Sequence, residues 1–261
     1  RHRNDEPTGK LEYLRNDAAQ TRVHDVTTTE ASLTLRYAPG ESFVNSKQRR
    51  VPVSLDAPIF TLTHAMGFKG VLGGEYNFNR TEASVWKRFW LPASWGKIDC
   101  SLKAGAEWNT VPFPLLILPE ANLSYITQRE TFNLINNMEF LNDRFASVSL
   151  SYDMNGKLFN RIPLIKNLKW REMFRVRALW GTLTDKNNPF KSSNPDLFRF
   201  PTRDGKFTSF VMDPKVPYVE ASVGIYNIFK LLHVEYVHRF TYRDNPGINK
   251  NGIRFMVLMV F

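Results

Sequence analysis

The sequence predicts an all-β fold, an antiparallel transmembrane β-barrel of the outer-membrane type, and three observations support this prediction. Segments in which apolar and polar residues alternate recur along most of the chain, and this is the period of a β-strand with two different faces. Many of these segments approach the ~9–11 residues that a tilted strand needs to cross a bilayer. Tight turns and long loops follow the segments in alternation, as in bacterial outer-membrane barrels.

The predicted strands begin after a polar stretch. Residues 1–26 are charged and lack a sustained period, so we expect a leading segment or loop there. Residues 27–261 are predicted to form the barrel, with about nine or ten strands by the count of alternating segments. The clearest strand lies at 98–109, where apolar side chains occupy the even positions and mostly polar ones the odd positions.

The connections between the predicted strands differ in length. Residues 110–142 and 184–216 are predicted to be long extracellular loops, whereas 92–97 and 228–230 are predicted tight turns on the opposite, periplasmic side. The connection 155–171 falls on the periplasmic side as well and is unusually long for that side. Its pattern predicts one short amphipathic turn or helix.

The composition narrows the class of protein. The net charge is +10, but the basic residues are scattered, so we expect the anionic headgroups of membrane lipid or acidic polysaccharide as a partner, and no nucleic acid. No run of about 18 apolar residues occurs, which excludes a transmembrane helix. Cys100 is the only cysteine and the five histidines lack the spacing of metal ligands. We therefore expect no metal and no cofactor.

Charged and polar side chains on one face of several predicted strands are the candidate lumen-facing residues. They are Asp99, Lys103, Glu107, Arg175, Arg177, His233, Glu235 and Arg239. Complementary charges across a lumen either rigidify the wall or set the selectivity of a pore, and the sequence leaves both interpretations open. No nucleophile elbow or complete phosphate-binding loop accompanies them, so we expect no catalytic residues and no enzyme.

Two further sets of residues are candidates for contacts with partners. Phe255, Val257, Met259 and Phe261 form an apolar face in the last strand, typical of the signal that barrel assembly machinery reads. Leu115, Leu116, Ile117 and Leu118 form an apolar run within a predicted extracellular loop. Such a run folds into the barrel mouth, docks another envelope protein, lies on the outer leaflet or packs within the loops.

Several blocks of the sequence carry a resemblance to a known family. The blocks are Leu35–Glu41, Lys87–Leu91, Trp108–Pro119, Asn137–Arg144, Leu158–Lys166, Tyr236–Gly247 and Gly252–Arg254. The sequence resembles the carboxyl-terminal part of a Bacteroidota outer-membrane protein family of unassigned function. Its members usually carry a carboxypeptidase-regulatory-like domain ahead of the barrel. The resemblance implies a membrane barrel, and because family members are longer, it also implies that this chain is the carboxyl-terminal part of a larger protein.

These patterns together predict an integral protein of the outer membrane that is not an enzyme. Its expected role is transport, as a pore, or membership of an envelope complex. One alternative is a structural or assembly partner without an open pore, and another is an outer-membrane enzyme that acts on lipid. A soluble β-sandwich is the alternative fold, because the period of two does not tell which solvent meets which face.

Overall fold

The computed structural model describes residues 1–45, 49–54, 56–128 and 130–257. The strands are β1 (His2–Asp5), β2 (Tyr13–Leu14), β3 (Arg22–Val23), β4 (Val26–Tyr37), β5 (Phe43–Asn45), β6 (Arg50–Pro52), β7 (Ile59–Gly67), β8 (Phe78–Trp90), β9 (Lys97–Glu107), β10 (Arg144–Asp153), β11 (Arg171–Thr182), β12 (Thr202–Arg203), β13 (Lys206–Phe207), β14 (Tyr218–Ile228), β15 (Leu232–Arg239) and β16 (Asn251–Val257). The helical elements are α1 (Pro163–Leu168) and three 3₁₀ turns, at Phe113–Leu115, Phe159–Arg161 and Asp185–Asn187.

Ten strands form one antiparallel sheet in the order β1-β4-β7-β8-β9-β10-β11-β14-β15-β16. The all-β prediction is thus confirmed, with α1 as a short exception. β1 and β16 lie at the two edges, and the described residues show no pairing between them. The chain meanders, so successive connections alternate between the two ends of the sheet. The loop end carries the long connections 108–143 and 183–217, whereas the turn end carries 38–58, 91–96, 154–170 and 229–231.

The apolar face of this sheet is its exposed face. In β11, for example, Phe174 and Val176 are exposed, whereas Arg175 and Arg177 are buried. Direct pairing extends the apolar face from strand to strand, through Leu62, Ala83, Ala104 and Ala146. This arrangement is the reverse of a soluble sheet, which buries its apolar side against a second layer.

The exposed face is largely aliphatic in the middle, where Tyr236 is an aromatic exception, and aromatic toward both ends. Leu102, near the centre of β9, is 47% exposed, and Leu150 and Val223 are exposed in the same band. Exposed aromatic side chains of this face lie toward the turn end at Tyr37, Phe60, Phe89 and Phe174, and toward the loop end at Trp108, Trp180 and Phe240.

The hydrophobic core lies at the loop end. One cluster combines Tyr13, Phe113, Leu141, Leu183 and Phe198 with their neighbours, and these residues come from three different connections. A second cluster, around Phe140 and Tyr218, packs the connections 108–143 and 183–217 against the ends of β11 and β14. Long loops thus fold into an ordered cap because they bury their own apolar side chains together.

The structure differs from the sequence prediction at several connections. Residues 1–26 contain β1, β2 and β3, and β1 pairs with β4 as an edge strand. The small β5–β6 hairpin lies in the connection after β4. These strands have two to four residues, and an alternation of apolar and polar residues cannot be recognised over so few positions. In the described residues, no helix has the length and apolar character needed to cross a membrane.

Candidate functional site: the enclosed polar face

The polar face of the sheet brings the predicted lumen-facing residues together. Strand pairing places Asp99 opposite Ser151 and Ser151 opposite Arg175, and it places Glu220 between Arg177 and Arg239. Asp99 and Lys103 are half-buried in this face. The fully buried members are Glu107, Arg175, Arg177, His233, Glu235 and Arg239. Six ionisable residues thus lie away from solvent, where each charge requires a partner.

Arg175 and Glu235 form the first buried ion pair of this face. Nη1 of Arg175 donates to both carboxylate oxygens of Glu235, at 2.9 Å each. The hydroxyl of Ser222 donates to the same carboxylate, and Nε2 of His233 lies 3.4 Å from it. The carboxylate is therefore held by three side chains of the wall itself, so this cluster joins β11, β14 and β15.

Glu220, on β14, links the sheet to the long connection between β9 and β10. Its carboxylate accepts hydrogen bonds from Arg177 Nη1 at 3.1 Å and from the Tyr218 hydroxyl at 2.8 Å. It also accepts the backbone N–H groups of Asn133 at 2.8 Å and of Leu134 at 3.1 Å. Residues 120–128 and 130–142, named here the inserted segment, thus lie against the polar face, and backbone N–H groups of the segment donate hydrogen bonds to it.

Arg239 fixes the same segment from β15. Its guanidinium donates to both oxygens of Glu139, at 3.0 and 2.6 Å, and to the carbonyl oxygen of Leu134 at 3.2 Å. Both side chains of this pair are buried, and the Arg239 guanidinium lies 4.8 Å from the ring centroid of Tyr218. A bidentate arginine–carboxylate pair of this kind defines one orientation of the segment.

Two glycines of the polar face allow this close approach. A Cβ atom at Gly181 would overlap the side chain of Asn142, and one at Gly252 would lie 2.9 Å from a methyl carbon of Leu134. Both partners belong to the inserted segment. Any larger residue at these positions would displace the segment from the wall, because real Cβ contacts are essentially never that short.

The charges on β8 and β9 are paired in the same way. Arg88 donates to both oxygens of Asp99, at 2.6 and 2.9 Å. Nζ of Lys103 lies 3.1 Å from Glu120 and 2.7 Å from Glu130, which are residues of the inserted segment. Charged side chains of the polar face therefore bind the inserted segment from β9 as well as from β14 and β15.

A cavity of about 600 Å³ remains between the inserted segment and the sheet. Its wall reaches from Thr61 on β7 across the sheet to Met256 on β16, which shows that the polar face is concave. Paired charges line it, among them Arg88 with Asp99 and Lys97 with Asp153. A space of this size holds water or a small polar molecule.

The apolar run 115–118 lies inside the cap. Leu115, Leu116 and Ile117 are buried, the first two in the same cluster as Tyr13 and Phe113, and Leu118 packs against that cluster. Of the alternatives that the sequence left open, packing within the loops describes this position. A partner does not reach these side chains in the observed fold.

The last strand presents the residues of the predicted assembly signal on the exposed face. Phe255 and Val257 are both exposed there, whereas Met259 and Phe261 lie outside the described residues. The backbone of Phe255 bonds with the inserted segment on the other side of β16. Its N–H donates to the carbonyl of Tyr125 at 2.8 Å, and its carbonyl accepts from Thr127 at 2.6 Å.

Sequence reasoning missed the acidic partners Glu139 and Glu220. Glu220 alternates with Val219 and Ala221 in a predicted strand, so the sequence indicates that its side chain lies on the polar face. Its position opposite Arg177 follows once β11 and β14 are aligned. Glu139 lies in an irregular loop, 100 positions from Arg239. No local pattern indicates a contact over that distance.

Burial raises the pKa of two tyrosines at the loop end. Burial against the cap raises the pKa of Tyr76 to about 12. Burial also raises the pKa of Tyr242, whose hydroxyl donates to the carbonyl oxygen of Val216 at 2.7 Å. Both groups therefore favour the folded cap in their neutral form.

The fold and the site define an all-β protein built on one large antiparallel sheet, whose charged face is covered by its own long connection. The chain belongs to a family of unknown function, DUF5686, because the model of the family's C-terminal domain matches residues 4–190. This match confirms the resemblance to the carboxyl-terminal part of a family of unassigned function. No curated protein matches the chain. Within the described residues, no cluster of three His, Cys, Asp or Glu side chains is placed to hold a metal ion.

Proposed function

We propose that this chain forms an integral β-barrel of the outer membrane whose interior is filled by the inserted segment. In this proposal it acts as a non-enzymatic structural or assembly subunit of the cell envelope, without an open pore. The single observation that carries the proposal is the inverted sheet, with aliphatic side chains outward and paired charges inward. Hydrocarbon is the solvent that favours this orientation.

The energetics of the two faces support a membrane location. In water, an exposed face of this extent would cost about 25 cal/mol for each Å² of apolar surface left unburied. In a bilayer the same surface meets lipid, and the aromatic rows toward its two ends match the headgroup regions. Closure of the sheet into a barrel would satisfy the backbone groups that remain free at its two edges, as lipid requires; on β16 the inserted segment already pairs with the backbone of Phe255.

The inserted segment supports a closed interior. Glu220, Arg239 and Lys103 bind it from three strands through hydrogen bonds and ion pairs. An open pore would need these contacts to break. Because a hydrogen bond to a charged group contributes about 1.5–3 kcal/mol, these contacts together favour the filled state.

The native Cys100 gives a direct test of the membrane location. It lies on the apolar face of β9, opposite Leu150, and is the only cysteine of the chain. In lipid nanodiscs we expect an uncharged, water-soluble polyethylene glycol maleimide to leave Cys100 unmodified until denaturant is added. The control is Leu72→Cys in a Cys100→Ser background, since residue 72 is 74% exposed in the turn between β7 and β8. Rapid labelling of both cysteines would contradict the proposal.

A gated transporter is the second candidate, and the cavity beside the inserted segment favours it. Planar-bilayer recordings separate the two roles. We expect no steady conductance from the wild-type protein, and steady conductance from a variant in which a Gly-Ser linker replaces residues 121–138. Steady conductance of the wild-type protein would instead support a pore.

The exposed Phe255 and Val257 support a contact with barrel assembly machinery in this proposal. Replacing both residues with Ser should slow membrane insertion in cells, measured as the fraction of protein that resists extraction from membranes by urea. The matched control is Leu72→Ser, which changes an exposed apolar residue outside the last strand. An equal insertion rate for both variants would speak against the signal.

A further inference from the structure

The connection between β10 and β11 forms a basic and apolar surface at the turn end. Residues 154–171 contain five basic residues and no acidic residue. The basic residues are Lys157, Arg161, Lys166, Lys169 and Arg171. Exposed apolar side chains lie between them at Leu158, Ile162, Leu164 and Leu168, and Leu164 is 83% exposed. We name residues 154–171 the rim segment.

Three hydrogen bonds hold the rim segment against the end of the sheet. Nζ of Lys157 donates to the carbonyl of Ala93 at 2.7 Å, and the N–H of Leu158 donates to Glu172 at 2.6 Å. The side-chain amide of Asn227 donates to the carbonyl of Lys169 at 2.7 Å. The segment is therefore fixed beside the neighbouring turns, where Phe229 is 79% exposed and Trp95 is also exposed.

Three exposed basic side chains of the rim segment form no ion pair with the acidic side chains that the structure describes. Arg161, Lys166 and Lys169 are exposed, and the ion pairs found among the described residues include none of the three. The polar face, in contrast, pairs its charges closely. Unpaired basic side chains among exposed leucines are the composition of segments that lie in the interface of an anionic membrane.

We propose that the rim segment lies in a layer of anionic phospholipid headgroups. This inference rests on the proposed membrane location, because the rim segment continues the exposed face at its turn end. Leu164 and Leu168, which are four positions apart on α1, enter the region below the headgroups. Arg161, Lys166 and Lys169 reach the phosphate oxygens, where each basic residue adds attraction to the anionic surface.

Cysteine labelling in nanodiscs tests this inference. Leu164→Cys in a Cys100→Ser background is compared in phosphatidylcholine nanodiscs and in nanodiscs that also contain phosphatidylglycerol, with the uncharged maleimide as reagent. Labelling should be slower on the order of tenfold in the anionic nanodiscs, given three basic residues near the surface. The charge reversal Arg161→Glu/Lys166→Glu/Lys169→Glu should remove the difference. Leu72→Cys, at the opposite end of the sheet, serves as the control and should label equally in both lipids.

The outcomes distinguish this inference from the proposed function. If native Cys100 is protected but Leu164→Cys labels equally in both lipids, the rim proposal is overturned and the membrane location stands. If Cys100 labels rapidly in both lipids, the membrane location fails and the rim proposal fails with it. A slower reaction of Leu164→Cys that persists after the charge reversal also overturns the role of the three basic residues.

Discussion

Arg239 carries a positive charge that no water reaches. Its side chain is fully buried, and so is the carboxylate of Glu139 that it contacts through two hydrogen bonds. Removing one member of such a pair leaves the other charge desolvated, which typically destabilises a protein by about 3–5 kcal/mol. The pair therefore serves to position the inserted segment, in addition to any stability it provides.

A double-mutant cycle on this pair is the first prediction. Arg239→Met and Glu139→Met should each lower the free energy of unfolding by about 3–5 kcal/mol, whereas the double variant should lose clearly less than the sum. Urea titration in detergent micelles measures these values. The exposed pair Lys191–Asp185, with an N–O distance of 2.9 Å, is the matched control, and its coupling should stay below about 1 kcal/mol. Additive losses at Arg239 and Glu139 would contradict the contact.

Tyr76 gives a prediction on pH. Since the folded cap raises the pKa of this phenol from 10.0 to about 12, the folded state binds the proton more tightly than the unfolded state. The contribution to stability is complete below pH 10 and is lost as the pH rises from 10 to about 12. The stability difference between the wild-type protein and Tyr76→Phe should therefore fall across this range. Tyr13 and Tyr242 titrate in both proteins and cancel, so a constant difference would refute the assignment.

Among the elements, β14 and the inserted segment show how strand and loop depend on each other. Glu220 accepts the N–H groups of Asn133 and Leu134, while Glu235 on β15 binds Arg175 and Ser222 within the wall. Both carboxylates are buried, but only Glu220 reaches the segment in these bonds. Substitutions at Glu220 and at Glu235 can therefore be compared to distinguish the stability of the sheet from the attachment of the inserted segment.

Hydrogen exchange gives the prediction for these elements. Glu220→Gln should accelerate exchange of the Asn133 and Leu134 amides by roughly 5- to 150-fold, the range expected from losing about 1–3 kcal/mol at a buried acceptor. Glu235→Gln should leave these two amides close to the wild-type rate. If both variants accelerate them equally, Glu220 acts through general loosening of the sheet and does not hold the segment directly.

The elements also show what the sequence could predict. The alternation of Asp99, Lys103 and Glu107 with apolar residues predicted β9 and the face of its charges, because the period of a strand is local. The residues that cover that face were not predictable, since Glu139 and Asn133 come from a loop without a period. Short strands such as β1 and β5 were missed for the same reason. The exposed aromatic rows become visible only when the register of several strands is known.

At the scale of the whole molecule, the hydrophobic core and the sheet are separate. The apolar clusters occupy the loop end, while the sheet turns its aliphatic face outward and encloses its charges. The cap can therefore order the loops in water. Under the proposed membrane location, a chain with a mean hydropathy of -0.34 still suits a bilayer, because only every second strand residue has to be apolar.

A charge placed on the exposed face of the sheet gives the last prediction. Leu102 lies near the middle of β9 and is 47% exposed, so Leu102→Arg places a guanidinium near the centre of the proposed aliphatic band. In lipid vesicles this change should lower the free energy of unfolding by about 2–4 kcal/mol. Leu72→Arg, in a turn where Leu72 is more exposed still, should change it by no more than about 0.5 kcal/mol. Water around the sheet would make both substitutions nearly neutral, so urea titration of the two variants determines which solvent surrounds this face.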